Sequence, residues 1–162
     1  MVNSIIVLLA LVSGLLMLWR IPLARDTDSS EPGGPSNSVS IIIPARNEAL
    51  RLPHLLQSLQ QQDMKPFEII VVDDESTDAT AQIALDAGSR VIAAEKLQQG
   101  WVDKSRACWS GARMASGDWL LFLDADTRLV SSDSLRRLLL TYQALGGSGS
   151  LSVQPYHLVF RF

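Results

Sequence analysis

Short apolar runs alternate along this chain with segments whose apolar residues recur at helical spacing. Runs rich in branched side chains predict strands at residues 39–43, 67–72, 90–94 and 119–123. We expect the last of these to be a buried strand, since it is apolar throughout, and residues 151–153 to begin a fifth. Because strand and helix alternate with short connections, the pattern predicts an α/β domain with a mostly parallel sheet.

Four predicted helices lie between and after these strands. In the first, Pro53 fits only the opening turn, and the apolar face consists of Leu52, Leu55, Leu56 and Leu59. The second can be capped by Ser76 and Thr77, or by Thr77 and Asp78, and has an apolar face that includes Ala79, Ile83 and Ala84. The third is predicted at residues 104–115. The fourth, at residues 134–145, is capped by Ser131, Ser132 or Asp133.

The first 38 residues differ in composition from the rest of the chain. Residues 1–24 carry no charge before Arg20 and predict one transmembrane anchor, because about 20 apolar residues span a bilayer. A cleaved signal peptide is the alternative, but the segment lacks a basic start and a good cleavage site. Residues 25–38 are rich in Asp, Ser, Pro and Gly and predict a flexible linker, which leaves residues 39–162 as the folded domain.

Charge and cysteine content narrow the classes of function. Arg20 and Arg25 flank the C-terminal side of the predicted anchor, so the positive-inside rule places the domain on the cytoplasmic side of the cell membrane in a single-pass arrangement. The net charge of -3 and the absence of a Lys/Arg run argue against nucleic acid as a partner. The single cysteine, Cys108, excludes an internal disulfide, and we interpret it as structural because no His is near it in sequence.

Charged residues follow three of the predicted strands. Arg46 and Glu48 follow the first, Asp73 and Asp74 the second, and 124–126, with sequence Asp-Ala-Asp, the fourth. Because ligands of parallel α/β sheets bind outside the carboxyl ends of the strands, we expect these side chains to converge on one site. Each also has a simpler interpretation as a helix cap or an ordinary surface carboxylate.

Asp124 and Asp126 suggest a metal site. Two carboxylates so close together repel each other unless a cation or hydrogen bonds neutralise them. Mg²⁺ or Mn²⁺ takes oxygen ligands and commonly uses one or two carboxylates, while substrate phosphates complete its shell. The economical hypothesis is one divalent cation that holds a diphosphate leaving group.

Three blocks of sequence, in order, resemble the family 2 glycosyltransferases. They are SIIIPARNE at residues 40–48, EIIVVDDESTD at 68–78 and LFLDADT at 121–127. The resemblance covers residues 39–157. It implies a GT-A-like, Rossmann-like fold that binds a nucleoside-diphosphate sugar, commonly a UDP-sugar, of which this chain is the N-terminal donor-binding half.

The resemblance also implies roles for individual residues. Asp74 matches the acidic residue that hydrogen-bonds the base, Asp124 the first carboxylate near ribose and metal, and Asp126 the metal ligand that bridges to the diphosphate. Lys104 matches the lysine of a G-W-x-G-K segment that holds the nucleotide or diphosphate. The loop that lines the nucleoside pocket is matched by Pro44, Ala45, Arg46 and Glu48.

One position departs from the family pattern. Asp103 stands where the family usually has Gly, and it reads equally well as the cap of a helix N-terminus. The anchor, this segment and residues 152–157 resemble the branch that includes carotenoid-acid glycosyltransferases, which implies a lipophilic, membrane-embedded acceptor.

The family normally continues with a second acidic motif that carries the catalytic base. No acidic residue follows Asp133, so we assign no catalytic base and expect the chain to be C-terminally truncated relative to the family. His157 matches no base position and is interpreted as structural.

Two alternative functions stay open. One is a nucleotidyltransferase, although the loop at 44–48 lacks the Gly-rich and basic character of such an enzyme. The other is a non-catalytic nucleotide-binding or membrane-assembly module. The sequence specifies neither the sugar nor the oligomeric state.

Overall fold

A computed structural model describes residues 38–95 and 103–153. The predicted anchor and all of the predicted linker except Ser38 lie outside these ranges, as do Gly100, Trp101 and His157. Within the described ranges, no helix has the length and apolarity needed to span a bilayer.

The described chain forms a four-stranded parallel sheet with helices on both faces. The strands are β1 (Val39–Ala45), β2 (Glu68–Asp73), β3 (Arg90–Ala93) and β4 (Trp119–Phe122), and the helices are α1 (Leu52–Gln60), α2 (Thr80–Asp86), α3 (Asp103–Met114) and α4 (Ser134–Ala144). The strand order is β3-β2-β1-β4, and each adjacent pair is parallel. The prediction of a mostly parallel α/β sheet is therefore confirmed.

The order of the strands determines where a ligand can enter. The chain moves outward from β1 through β2 to β3 and then returns to place β4 on the other side of β1. The strand order therefore reverses at β1, with β2 on one side and β4 on the other. Such a reversal opens a crevice at the carboxyl ends of β1 and β4.

The core occupies both faces of the sheet. On one face, Ile41 and Ile43 of β1 are fully buried against α1, α2 and α4, and the predicted apolar face of α1 is confirmed since Leu52, Leu55, Leu56 and Leu59 are all buried. On the other face, Ile42, Ile70 and Val72 pack against α3 through Ala107. Pro53 lies in the first turn of α1, as predicted.

A glycine allows α3 to approach the sheet closely. A Cβ atom added at Gly111 would lie 2.4 Å from Cγ2 of Ile42 and 3.0 Å from Cγ2 of Val72. Real Cβ atoms do not approach so near, so only glycine permits this helix to sit at its present depth.

Three local predictions are wrong. The strand at the fourth position is half-exposed rather than buried: Leu120 is 43% and Phe122 47% exposed, because among the described residues β4 pairs only with β1. Helix α2 begins at Thr80, so Ala79 precedes the helix and is exposed instead of belonging to its apolar face. Residues 151–153 form no strand. Asp133 precedes α4 as predicted, but its side chain makes no capping hydrogen bond.

Candidate functional site

A cavity of about 300 Å³ lies at the carboxyl ends of β1, β2 and β4. The structure brings all eight residues singled out by sequence to its wall, together with two buried alanines. The lining residues are Pro44, Ala45, Arg46, Glu48, Asp74, Lys104, Ala107, Asp124, Ala125 and Asp126. Their convergence agrees with the expectation that strand ends of a parallel sheet form one site.

The loop after β1 turns sharply at Asn47. This residue has φ of 55°, a left-handed conformation that asparagine tolerates better than most side chains. The turn leaves Ala45 buried, Arg46 exposed and Glu48 half-buried at the cavity. The end of β1 and the loop after it thus line the cavity with the apolar side chain of Ala45 and the charged side chains of Arg46 and Glu48.

Side chains from the loop after β2 and from the first residue of α2 hold the β1 loop in place. Thr80 Oγ1 accepts a hydrogen bond from the backbone N–H of Glu48 at 2.8 Å, and Asp78 Oδ2 accepts one from Ala49 N–H at 3.1 Å. In return, Asn47 Oδ1 accepts from Thr77 N–H at 2.8 Å. The two loops therefore form one hydrogen-bonded unit beneath the cavity.

Asp78 has a second function in this unit. Its Oδ1 accepts hydrogen bonds from Thr80 Oγ1 at 2.5 Å and from Thr80 N–H at 3.0 Å, at the start of α2. The hydrogen bond from the Thr80 side chain, followed by those from backbone N–H groups, holds the pKa of Asp78 below its usual value of 3.8. The sequence suggested Asp78 only as a possible helix cap.

Asp74 is the most enclosed charged group of the cavity. It is 4% exposed, and its backbone N–H donates to Ala45 O at 2.9 Å, which ties the end of β2 to the end of β1. Its carboxylate forms an ion pair with the guanidinium of Arg106 on α3. Sequence reasoning missed Arg106, since nothing in the motifs marks it.

Lys104 lies on the first turn of α3. Its Nζ is 2.5 Å from Oδ1 of Asp124, and both side chains are more than half exposed, at 61% and 52%. Helix α3 begins at Asp103, but the side chain of Asp103 and residues 96–102 lie outside the described part of the chain, and so does the predicted capping role of Asp103.

The segment 124–126 follows β4 as a tight turn. Thr127 closes the turn by donating to Asp124 O from its backbone N–H at 3.0 Å and from its hydroxyl at 2.7 Å. Ala125 is buried, while Asp124 and Asp126 are exposed at the cavity. Because Ala125 between them is small and buried, both carboxylates can line the same cavity.

The donor atoms suit a hard divalent cation that shares its shell with a ligand. In the described ranges, no cluster of three or more His, Cys, Asp or Glu side chains is placed to hold a metal. Asp124 and Asp126 supply oxygen donors from two carboxylates, and Mg²⁺ and Mn²⁺ commonly complete such a shell with phosphate oxygens and water. The site therefore fits a cation that arrives with an anionic ligand.

Cys108 does not line the cavity. It is half-buried, and burial, the largest influence, raises the pKa of its thiol. A thiol with a raised pKa is a poor nucleophile at neutral pH, in agreement with its interpretation as structural.

The sequence of this chain is similar to that of known proteins. Residues 40–158 match the family model described as glycosyl transferase family 2. A 4,4'-diaponeurosporenoate glycosyltransferase of Staphylococcus haemolyticus is 43% identical over 155 residues, which cover 94% of this chain and 41% of the relative. A protein of the same name from Staphylococcus aureus is 44% identical over 126 residues, which cover 77% of this chain and 33% of the relative. The chain thus spans less than half the length of these relatives.

Two solved structures share the fold and part of the sequence. S. aureus TarS 1–349 in complex with UDP-GlcNAc has a TM-score of 0.54 and 28% identity, covering 66% of this chain and 31% of that one. Mannosyl-3-phosphoglycerate synthase from Rubrobacter xylanophilus has a TM-score of 0.51 and 30% identity, covering 60% of this chain and 33% of that one. The matched part is about a third of each solved protein, 31% and 33%.

Proposed function

Because this chain belongs to glycosyl transferase family 2, we propose that it binds a nucleoside-diphosphate sugar and forms the donor-binding part of a sugar transferase. The observation that carries this proposal is the cavity at the strand ends, where all eight residues expected to bind donor or metal meet. The complex of TarS with UDP-GlcNAc supports a UDP-sugar as the donor.

Each wall of the cavity suits one part of such a donor. Asp74, enclosed at the end of β2, offers a carboxylate to N–H groups of the base. The loop from Pro44 to Glu48 would line the nucleoside. The carboxylates of Asp124 and Asp126, which follow β4 on the other side of β1 from Asp74, would hold the diphosphate and its metal together with Lys104. The four carboxylates and two basic side chains of the lining repel a bare diphosphate but accept one that carries a divalent cation.

In the proposed reaction, the bond between the anomeric carbon of the sugar and the diphosphate oxygen breaks, and the diphosphate keeps the electron pair. A bound Mg²⁺ or Mn²⁺ would supply positive charge to the leaving diphosphate. Lys104 would add a second positive charge to the same oxygens. The oxygen of the acceptor hydroxyl or carboxyl forms the new bond to the anomeric carbon and loses its proton, and we assign the group that receives this proton to no residue of this chain.

The acceptor and the membrane location belong to the whole protein and are also proposals. The S. haemolyticus and S. aureus relatives are named for diaponeurosporenoate, which supports a lipophilic acceptor. An anchor at residues 1–24 would keep the cavity near such a substrate on the cytoplasmic side of the membrane. Membrane fractionation tests this: the full chain is expected in the membrane pellet, and the chain without residues 1–38 in the supernatant. Recovery of both in the supernatant would contradict it.

Calorimetry with UDP tests the donor site. The 162-residue chain in detergent is titrated with UDP in Mn²⁺ and again in EDTA, and we expect binding that EDTA weakens at least about tenfold. Asp126→Ala should remove the metal dependence. Asp86→Ala is the matched control, because Asp86 is an exposed carboxylate at the end of α2 and outside the cavity.

Other outcomes separate the alternative functions. Absence of UDP binding with and without metal would contradict the proposal and favour a membrane-assembly module. Hydrolysis of a UDP-sugar with the same metal dependence would exclude a non-catalytic nucleotide-binding module. Release of diphosphate from a nucleoside triphosphate and a sugar phosphate would identify a nucleotidyltransferase instead.

A further inference from the structure

Arg106 and Asp74 form the most buried ion pair that the described residues contain. The side chain of Asp74 is 5% exposed and that of Arg106 is 20% exposed, and the guanidinium contacts Oδ1 of the carboxylate through Nη2. A carboxylate so deprived of water needs a compensating charge, and removal of its partner leaves it uncompensated. The Asp74 carboxylate therefore depends on Arg106 for charge compensation.

The pair leaves one carboxylate oxygen available. Among the described residues, Oδ2 of Asp74 accepts no hydrogen bond, whereas Oδ1 is engaged by Arg106. Asp74 nevertheless lines the cavity. A carboxylate held by one oxygen at a cavity wall presents the other oxygen as a hydrogen-bond acceptor for a ligand.

The position of Arg106 is set by this contact more than by its own hydrogen bonds. Its Nε is buried and has no hydrogen-bond partner within residues 38–95 and 103–153. A buried N–H without a partner costs free energy, and we attribute the compensation of that cost to the ion pair with Asp74. Its backbone is fixed by α3, where Ser110 Oγ donates to Arg106 O at 2.9 Å. Lys104 and Ala107, two residues before it and one after, line the same cavity.

We propose that Arg106 is a positioning residue of the donor site, which fixes the Asp74 carboxylate through Oδ1 so that Oδ2 accepts a hydrogen bond from the nucleotide base. The inference rests on the proposed function and adds a residue that no family motif marks. It implies a base with a ring N–H, as in uracil. Cytosine has an acceptor at the corresponding ring nitrogen, which cannot donate to Oδ2 of Asp74.

Calorimetry with UDP and CDP in Mn²⁺ tests this role in the full chain. In Arg106→Met, UDP affinity should fall about tenfold, the effect of losing one well-formed charged hydrogen bond, while CDP affinity changes little. Arg106→Lys keeps the charge without the guanidinium geometry and should give an intermediate loss. In the Asp74→Asn background, Arg106→Met should have almost no further effect.

Arg113→Met is the matched control. Arg113 lies on the same helix and is ion-paired with Glu95, but it does not line the cavity. This variant should bind both nucleotides like the wild type. Thermal unfolding is measured for every variant, so that loss of fold is recognised, and Arg106→Lys carries the test if the Met variant does not fold.

Several outcomes would overturn the inference. Equal losses for UDP and CDP would show that Arg106 supports only the fold. A gain in UDP affinity would show that Arg106 competes with the base for Asp74. Unchanged UDP affinity in Arg106→Met would exclude Arg106 from the site while leaving the proposed function intact. Absence of UDP binding by the wild type would remove both proposals.

Discussion

Lys104 Nζ lies 2.5 Å from Asp124 Oδ1, so the start of α3 contacts the turn after β4 across one end of the cavity. Both side chains are more than half exposed, and exposed ion pairs contribute little to stability. The contact is therefore of greater interest for binding than for folding. It places an ammonium group beside one of the two carboxylates that are proposed to share a metal with the diphosphate.

Lys104→Met should weaken UDP binding in Mn²⁺ without a change in stability. We expect affinity to fall about tenfold, since one charge-assisted contact to phosphate is lost. The melting temperature should stay within about 2 °C of the wild type, because the pair is exposed. Calorimetry and thermal unfolding measure the two quantities. Lys104→Arg should keep most of the affinity, and unchanged UDP binding by the Met variant would exclude a phosphate contact.

Asn47 and Glu75 should respond in opposite directions to substitution, although both have positive φ, 55° and 58°. Glu75 is exposed, so Glu75→Gly should raise the free energy of unfolding by up to about 1 kcal/mol as backbone strain is relieved. Asn47→Ala should lower it by about 1–2 kcal/mol, because the strain persists and the bonds from Thr77 are lost.

Urea denaturation measures both changes at Asn47 and Glu75. Glu75→Ala is the control, since it removes the charge but keeps a Cβ atom at positive φ. If it stabilised the chain as much as Glu75→Gly, the effect would come from charge and not from the backbone.

Gly111→Ala should destabilise the domain and weaken donor binding together. The new Cβ atom would meet Ile42 Cγ2 at 2.4 Å, so α3 must shift away from the sheet. Overpacking costs about 1–3 kcal/mol, and the better helix propensity of alanine returns up to about 1 kcal/mol. Since α3 carries Lys104, UDP affinity should fall as well.

A double-mutant cycle checks the cause of the Gly111 effect. Ile42→Ala removes the methyl group that the new Cβ atom would meet, and it should cost less stability in the Gly111→Ala background than in the wild type. Strictly additive losses in the cycle would contradict the proposed collision.

The contribution of Asp78 to stability should depend on pH in the acid range. Hydrogen bonds from Thr80 hold its pKa below 3.8 in the folded state, so the unfolded chain binds the proton more readily. The contribution is therefore fully present above pH 3.8 and is lost as the pH falls through the folded pKa. The stability difference between wild type and Asp78→Asn should shrink over this interval.

Acid titration of unfolding, followed at several urea concentrations, measures this difference. Asp118→Asn is the comparison, because hydrogen bonds from Ser38 also lower the pKa of Asp118, yet Asp118 bonds to the residue before β1, whereas Asp78 bonds to the loop after β1 that lines the cavity. Both variants should show the same sign in stability, but only Asp78→Asn should weaken UDP binding at pH 7. A constant gap between wild type and Asp78→Asn down to the acid limit would refute the argument.

The strands and the cavity could be predicted because their signals are local. Apolar runs mark β1 and β2, and the rule that strand ends carry ligands then places Arg46, Asp74 and Asp124 together without knowledge of any long-range contact. The helical spacing of leucines likewise identifies the buried face of α1.

What sequence reasoning missed depends on contacts between distant residues. The pairing of Arg106 with Asp74 follows from how α3 lies across β2, and residues 32 positions apart carry no local sign of it. The exposure of Leu120 and Phe122 follows from the edge position of β4, which an apolar run does not reveal. The cap of α2 stayed ambiguous in the sequence because Ser76, Thr77 and Asp78 all suit a helix start, and the structure shows that Asp78 bonds to the first helical residue.

The strand order also has a consequence for the time at which the site forms during synthesis. β1, β2 and β3 are consecutive both in the chain and in the sheet, whereas β4 reaches β1 only after β2, β3 and α3 have been made. Short loops close at lower entropic cost than long ones, and synthesis delivers the N-terminal strands first. We therefore expect the half of the pocket around Asp74 to be organised on the nascent chain before the acidic turn after β4 emerges from the ribosome.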